Sequence, residues 1–577
     1  MKLTGSKYHK YSAVGPAIIL IAVIYLITLG FLEKRGFWIA DNANKFIQLQ
    51  AILNSNYSGY SIPWPGSAVD PDFEYNPLPH PFSVIKDHNL FSIYSPIFAT
   101  ASSLFFKICG FQGLYILPFV FSMFLLFGLV RMLNTVGSEK AVKNHALFIA
   151  GLCTPIWFYS VVFWEHIIAA SLCVWGCGFC LDFLKSGSRK HLIFGAATST
   201  FSIYFRDELY LFCAVLLVAV LLYNSKERLK TALIFIFCVI ISAMPLWLFQ
   251  WKTIGQPLGF HVQSYLFSGS GIAPRISDRP LVLYNLFAAS SESIWLSLAL
   301  TMPFIVVFLL NPKLSEKSFK VAVPLYCLIA LSSSVFILHG YFSSDSPIAF
   351  MSHSNSLFTS SPILILAFMR YRNPKASEVN LSLRKWIWFV ALAYAIVYGL
   401  TAPQLGSTGI HWGNRFLLVL YPLFTILCVL NLAEWHSCFN RRIGWQKVVI
   451  TLTILISLGA QVYSLNLLRK KKAFCYHLNR EIQKRTEEVI VTNVWWVPQE
   501  LCLEFYNKSI FFVRSWDQYY QLTSRLSRQG YKKLLLVGRV SEKRLHSGVI
   551  KVSDGGLNLF DLAFQVVYID DSRKEMD

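Results

Sequence analysis

The sequence predicts an α-helical polytopic membrane protein, about 13 transmembrane helices with a small C-terminal α/β extracytoplasmic domain. Three observations predict it. Apolar runs long enough to cross a bilayer as helices recur from Tyr11 to Leu468. Only 14% of the 577 residues are charged, against about 25% in a soluble protein. Basic residues concentrate in alternate loops, the asymmetry that orients membrane proteins.

The runs lie near 12–32, 113–130, 146–162, 166–184, 191–206, 209–223, 231–250, 291–310, 321–339, 357–369, 386–403, 416–434 and 448–466. With the N-terminus in the cytoplasm, the short loops on that side carry Lys2, Lys7, Lys10, Lys185, Arg189, Lys190, Arg441 and Arg442. Their basic density is several times that of the longer loops opposite. The net charge of +21 is therefore mostly a topology signal, and no nucleic-acid partner is implied. No small-residue cleavage site follows the first apolar stretch, so it reads as a retained span. The expected location is a bacterial inner (plasma) membrane, with the C-terminal segment outside.

Two regions divide the chain: a membrane domain over 1–466 and an extracytoplasmic α/β domain over 467–577. The membrane domain has an unusually long first outer loop, 33–112. That loop opens with DNANK (41–45), and Phe46, Ile47, Leu49, Ile52 and Leu53 follow at helical spacing. A Pro/Gly-rich stretch comes next, then SIYSPIFATASSLFFKICG. Counting this last segment as a span would reverse the sidedness of every later loop, so it reads as an interfacial helix. In the tail, strands are expected at 489–493, 509–513, 533–538 and 564–569, and helices at 498–507 and 516–529. No Gly-rich phosphate loop follows a strand.

The twelve cysteines are mostly within apolar runs, where Cys behaves as a small apolar residue. Cys173, Cys177 and Cys180 share one helical face, and the reading favours packing over metal binding. Cys475 and Cys502 lie beyond the last run and could pair in an oxidising compartment.

Ionisable residues at the outer ends of spans are the informative ones, because charge beside hydrocarbon is costly. Asp41 opens the first-loop helix and taken alone reads as an N-cap. Glu165 and His166 form part of FWEH in a short outer turn, suited to acid–base work, to a metal, or to a polar interface turn. Arg206 sits in RDE (206–208), either an internal ion pair or a phosphate-binding cluster. His411, Trp412 and Arg415 lie at the mouth of a span, where a guanidinium fork would meet a lipid phosphate; headgroup snorkelling is the alternative. Lys45 and Glu74 in the first loop are further substrate-binding candidates. A divalent metal stays open, with no convincing ligand set.

Together, DNANKFIQLQAIL (41–53), YSPIF (94–98), FYSVVFWEHIIA (158–169) and HWGNRFLLVLYPL (411–423) resemble the GT-C superfamily of glycosyltransferases. That superfamily includes protein O-mannosyltransferases, lipid A aminoarabinose transferases and oligosaccharyltransferases. The resemblance covers roughly 12–466 and lies nearest to uncharacterised bacterial members. It implies a polyprenyl-phosphate-linked sugar donor, a lipid, glycan or protein acceptor, and inverting transfer at the outer face among membrane lipids. It places the catalytic acidic position on Asp41. The chain departs from the common Asp-Glu pair, having Asn42 next, so a second carboxylate is left among Asp70, Asp72, Glu74 and Glu165. Trp495-Trp496 is followed by Val497, unlike the WWD-type motif of oligosaccharyltransferases. The rival readings are a lipid or polysaccharide transporter or flippase, a glycan polymerase or ligase, and a non-catalytic assembly subunit.

Overall fold

The computed structural model describes residues 14–224, 227–260, 262, 276–287, 356–368, 378–402, 410–438, 444–539, 550–552 and 562–569. The spans expected near 291–310 and 321–339 lie outside these residues. Among those described, five helical runs are long and apolar enough to cross a membrane. They are Pro96–Thr135, His166–Ser186, Arg228–Ile254, Val379–Thr401 and Lys447–Gln483; Gly15–Phe31, Leu209–Tyr223 and Leu420–Glu434 are shorter apolar helices. The chain is an integral membrane protein.

Several apolar runs are not single helices, which corrects the span-by-span expectation. The run at 146–162 is two helices, Lys140–Leu152 and Ile156–Ser160. They are separated at Pro155, which has no N–H to continue a helical ladder. The run at 191–206 is the helix Arg189–Phe201 followed by a 3-10 turn, Ser202–Tyr204. The run at 357–369 is one helical turn, Leu357–Ser360, then a 3-10 segment, Pro362–Phe368. Hydropathy records that these residues avoid water. It does not record that Ile363, Leu364 and Ala367 are buried in protein, where irregular backbone is tolerated. Pro96–Thr135 is also interrupted, because the helix Pro96–Cys109 stops at Gly110. Gly110 has φ 59°, a left-handed conformation that glycine adopts without strain.

The chain divides into two compact units. One comprises Met1–Gly30, Leu117–Phe249 and Tyr265–Leu465, the other Phe31–Ile116, Gln250–Ser264 and Asn466–Asp577.

In the first unit, helices His166–Ser186 and Arg189–Phe201 pack closely through glycines. A Cβ on Gly176 would fall 2.0 Å from Ser199 Oγ, and one on Gly195 2.7 Å from Cys180 Sγ. Small residues at such contacts let helix backbones approach. Cys173, Cys177 and Cys180 are buried free thiols. Arg131 is bound to Asp182 at 2.7 Å, so a charge at the end of one helix is neutralised by the next.

The second unit contains the helix Ala40–Asn54 and a hairpin of β1 (Ser83–Lys86) and β2 (Asn89–Ser92). It also contains a five-stranded sheet of β3 (Val489–Thr492), β4 (Ser509–Phe512), β5 (Lys533–Arg539), β6 (Ile550–Val552) and β7 (Leu562–Tyr568). The strand order is β4-β3-β5-β7-β6. β3 pairs in parallel with β4 and β5, and β7 is antiparallel to β5 and β6. Helix Trp516–Arg528 connects β4 to β5 and is capped by Ser515, whose side chain accepts from Gln518 N at 3.3 Å. The helix expected over 498–507 is only Val497–Glu500, and β6 was not anticipated. Cys475 and Cys502 are buried free thiols rather than a disulfide.

The tail does not make its unit alone. Trp64 Nε1 donates to Ile510 O at 3.0 Å, Phe512 N to Tyr75 O at 3.0 Å, and Tyr506 OH to Ile47 O at 2.8 Å. The Pro/Gly-rich stretch of the first loop is thereby held along β4. Its turn is closed by Asp70, which is fully buried. The two Asp70 carboxylate oxygens accept from Glu74 N (3.0 Å) and Tyr75 N (2.7 Å). Burial raises the Asp70 carboxyl above its ordinary range, against the lowering effect of these bonds and of Arg525. The folded chain therefore holds this proton more tightly than the unfolded one. Its contribution to stability is full below the unfolded carboxylate value and is lost as pH rises through the folded one. Asp70→Asn keeps only one acceptor for two N–H groups and should cost about 1–3 kcal/mol. The variant should also lose this acid-range slope, read from thermal unfolding in detergent across pH.

Candidate functional site

Asp41 is not the N-cap of its helix. Ile39 takes that position, and Asn42 Oδ1 reaches back to accept from Ile39 N at 3.3 Å. Asp41 lies in the first turn, which suits a negative side chain, and is 8% exposed. Its Oδ1 accepts from the Tyr94 hydroxyl at 2.7 Å. One turn further, the Lys45 ammonium sits 3.6 Å from the centroid of the same ring, a cation–π contact made strong by burial. Gln48 Nε2 donates to Tyr94 O at 3.1 Å. Spacing of three and four residues puts all three side chains on one helix face, and that face grips Tyr94. Tyr94 begins the YSPIF segment, yet nothing in its sequence context signals this contact.

Of the other first-loop carboxylates, Glu74 pairs with Arg525 at the surface. Asp70 is committed to its turn.

In the helical unit a second cluster forms where several helix ends meet. Glu165 immediately precedes helix His166–Ser186, and Arg206 and Glu208 precede Leu209–Tyr223. Arg206 Nη1 is 3.1 Å from Glu165 Oε1, and its Nε is 2.9 Å from Glu208 Oε1. All three side chains are nearly buried, so Arg206 is held by two carboxylates. The Arg206–Glu208 contact is the internal pair that the RDE sequence offered, and Glu165 is the partner that the sequence did not indicate. Arg415 lies 4.7 Å from the Phe416 ring centroid and 5.1 Å from that of Trp164. His166 meets Trp164 edge-on at 4.8 Å and Phe416 at 6.3 Å, and the His411 ring is 6.4 Å from Trp164. Thus Glu165, His166, Arg206, His411 and Arg415, distant in sequence, surround two aromatic rings.

Trp412 is not among them. Its indole is buried and donates to Gln461 Oε1 at 2.7 Å. Gln461 Nε2 donates to Ser360 O at 2.6 Å, and Ser360 Oγ is 2.8 Å from Tyr421 OH. Tyr421 OH in turn accepts from Asn414 N at 3.0 Å. This closed network anchors the 411–415 loop, which carries Arg415. Gly413 makes the geometry feasible, with φ 63°.

Among the described residues, no group of three or more His, Cys, Asp or Glu side chains converges to hold a metal ion.

No protein-family model matches the chain, and no curated protein matches it. Solved structures do. ArnT from Cupriavidus metallidurans bound to undecaprenyl phosphate is 11% identical, with TM-score 0.49 over 95% of this chain and 97% of that one. The oligosaccharyltransferase AglB from Archaeoglobus fulgidus, in complex with an inhibitory peptide and a dolichol-phosphate, is 10% identical. Its TM-score is 0.47, over 92% of this chain and 70% of that one. The arabinofuranosyltransferase AftD from Mycobacteria is 10% identical, with TM-score 0.39 over 90% of this chain and 35% of that one. Likenesses this distant assign no role to any residue.

A Cβ on Gly413 would lie 2.4 Å from Tyr421 OH and 2.6 Å from Pro155 Cγ. Gly413→Ala should therefore shift the loop and cost about 1–3 kcal/mol through overpacking, seen as a lower Tm. Trp412→Phe, which removes the bond to Gln461, orphans its buried acceptor and leaves a small cavity, should cost about 1–3 kcal/mol or more.

Proposed function

We propose that this protein is a membrane glycosyltransferase that moves a sugar from a polyprenyl-phosphate donor to an acceptor at the outer membrane face, with inversion. One observation carries the reading: the Arg415 guanidinium stacked on Trp164 and Phe416, on a loop anchored in the apolar helical unit. A guanidinium on a ring is pre-organised as a planar fork for phosphate oxygens. Arg206, whose charge is matched by Glu165 and Glu208, holds the turn that carries Trp164 and so supports Arg415 indirectly. The outer face rests on the Lys/Arg asymmetry of the loops, and the donor class on the resemblance in sequence motifs.

In the transfer, an acceptor hydroxyl oxygen attacks the anomeric carbon as the bond from that carbon to the donor phosphate breaks. The electron pair leaves with the lipid phosphate, whose growing charge Arg415 stabilises. Asp41 takes the hydroxyl proton as the new bond forms. Tyr94 and Lys45 orient it, the first by a hydrogen bond to Oδ1 and the second by fixing the Tyr94 ring. His166 and His411 line the aromatic cluster as donor contacts.

Charge placement separates this reading from ion-coupled transport. The buried ion pair of Arg206 lies at helix ends, outside the middle of a span, where transporters place ionisable groups on broken helices.

Two experiments bear on it. Asp41→Asn retains an acceptor for Tyr94 but cannot take a proton, so transfer should fall by roughly 10²–10⁴-fold with Tm preserved. Wild-type turnover in that variant would remove Asp41 as the base. Arg415→Ala should lose about 1.5–3 kcal/mol of donor binding, and Arg415→Lys should also weaken it because the fork is lost. Acceptor dependence should not change in either. Equal donor affinity in wild type and Arg415→Ala would leave Arg415 as a headgroup anchor.

A further inference from the structure

The second unit contains a cavity of about 490 Å³, lined by Arg35, Gln50, Phe111, Tyr476, Arg480 and Asn507 among others. None of its lining residues belongs to the Asp41 or Arg415 clusters or has a part in the transfer described above. Its volume falls within the roughly 300–1,000 Å³ range of small-molecule sites. The lining is unusual for an apolar ligand. Arg35 lies 5.5 Å from the Phe111 ring centroid and Arg480 5.8 Å from that of Tyr476. Among the described residues, neither guanidinium is in direct ion-pair contact with a carboxylate, although Glu481 feels the charge of Arg480. Each is positioned by a ring, which leaves its in-plane N–H groups for another anion.

The rest of the wall is made of hydrogen-bonding groups of both kinds. Gln50 Oε1 is buried and accepts no hydrogen bond. An acceptor in that state costs free energy unless a ligand donor satisfies it. Asn507 Nδ2 donates to Glu504 Oε2 at 3.2 Å, so the buried carboxylate of Glu504 faces the same space with an oxygen fixed in place. Gln483 adds a further amide. Two cationic forks, several amides, a carboxylate and two aromatic rings are the groups that recognise a hydroxyl-rich ring carrying a negative charge. A lipid chain would leave all of them unsatisfied, and inorganic phosphate alone would leave the amides and rings unused.

We infer that this cavity binds an anionic saccharide, a sugar bearing a carboxylate or a phosphate. The sugar hydroxyls meet Gln50, Glu504 and Asn507, and its charge meets Arg35 and Arg480. Because none of the lining residues takes part in transfer, the inference does not depend on the transferase reading, and binding can be measured without turnover.

The test uses the full-length protein in nanodiscs, titrated calorimetrically with glucuronate, glucose 6-phosphate and uncharged glucose. Either or both charged sugars should bind saturably, at least tenfold more tightly than glucose, and which one does so identifies the anionic group. In Arg35→Gln/Arg480→Gln that preference should fall by tenfold or more, while Tm stays within a degree or two of wild type. Gln50→Ala should weaken the charged and uncharged sugars alike by several-fold. Asp41→Asn should bind as wild type does, whether or not it transfers. No saturable binding of any of the three sugars, or equal binding of glucose and the charged sugars, would overturn the inference. So would unchanged binding in a folded double-Gln variant.

Discussion

The buried guanidinium of Arg206 is the constraint around which the helical unit's polar cluster is arranged. A charge in that setting persists only if it is matched, and Glu165 and Glu208 match it at 3.1 and 2.9 Å. Both carboxylates sit at the starts of helices. The ion pair therefore ties the entry of His166–Ser186 to that of Leu209–Tyr223 and fixes the short turn containing Trp164. Removing one partner from such a group costs about 3–5 kcal/mol. The rings of Trp164 and Phe416, and through them Arg415, His166 and His411, inherit their positions from it.

A second set of polar contacts works from the other side of the cluster. The chain Trp412–Gln461–Ser360–Tyr421–Asn414 links the 411–415 loop to three other parts of the unit. Each of those bonds is buried, where a missing partner is expensive. The loop is therefore a rigid mount, and Gly413 is the position at which the backbone comes too close to Tyr421 and Pro155 for any side chain. Rigidity of this kind suits a site that must hold charge in place without reorganising.

The second unit follows a different logic. A Pro/Gly-rich loop has too little regular structure to satisfy its own backbone, so it borrows partners. Trp64 and Tyr75 bond to β4, Ala68 accepts from Gln529 just beyond helix Trp516–Arg528, and Asp70 closes the turn between them. The loop and the tail are far apart in sequence but form one folding unit. Asp41 depends on this arrangement indirectly, because the helix that carries it bonds through Ile47 to Tyr506 of the tail.

Membrane character, the approximate positions of most helices, and four of the five tail strands were legible in the sequence, because they follow from local hydropathy and side-chain periodicity. The polar residues worth attention were legible too, since a charge at the end of an apolar run is conspicuous. Sequence could not decide which of those charges neutralise one another. It left Arg206 open between ion pair and phosphate ligand, and three-dimensional proximity to Glu165, 41 residues away, settled the pairing. It read Asp41 as a cap, whereas helix geometry moved the cap to Ile39 and gave Asp41 to Tyr94. It carried no sign that the buried indole of Trp412 bonds to Gln461, 49 residues away. It did not show that the runs at 146–162, 191–206 and 357–369 are broken into shorter helical pieces, because apolar composition does not record where a backbone ladder stops. Local chemistry thus determined that this chain lives in a membrane and which residues could act there. Their partners were decided only by tertiary packing, because hydrogen bonds and ion pairs act over about 3 Å and sequence separation carries no information about that distance.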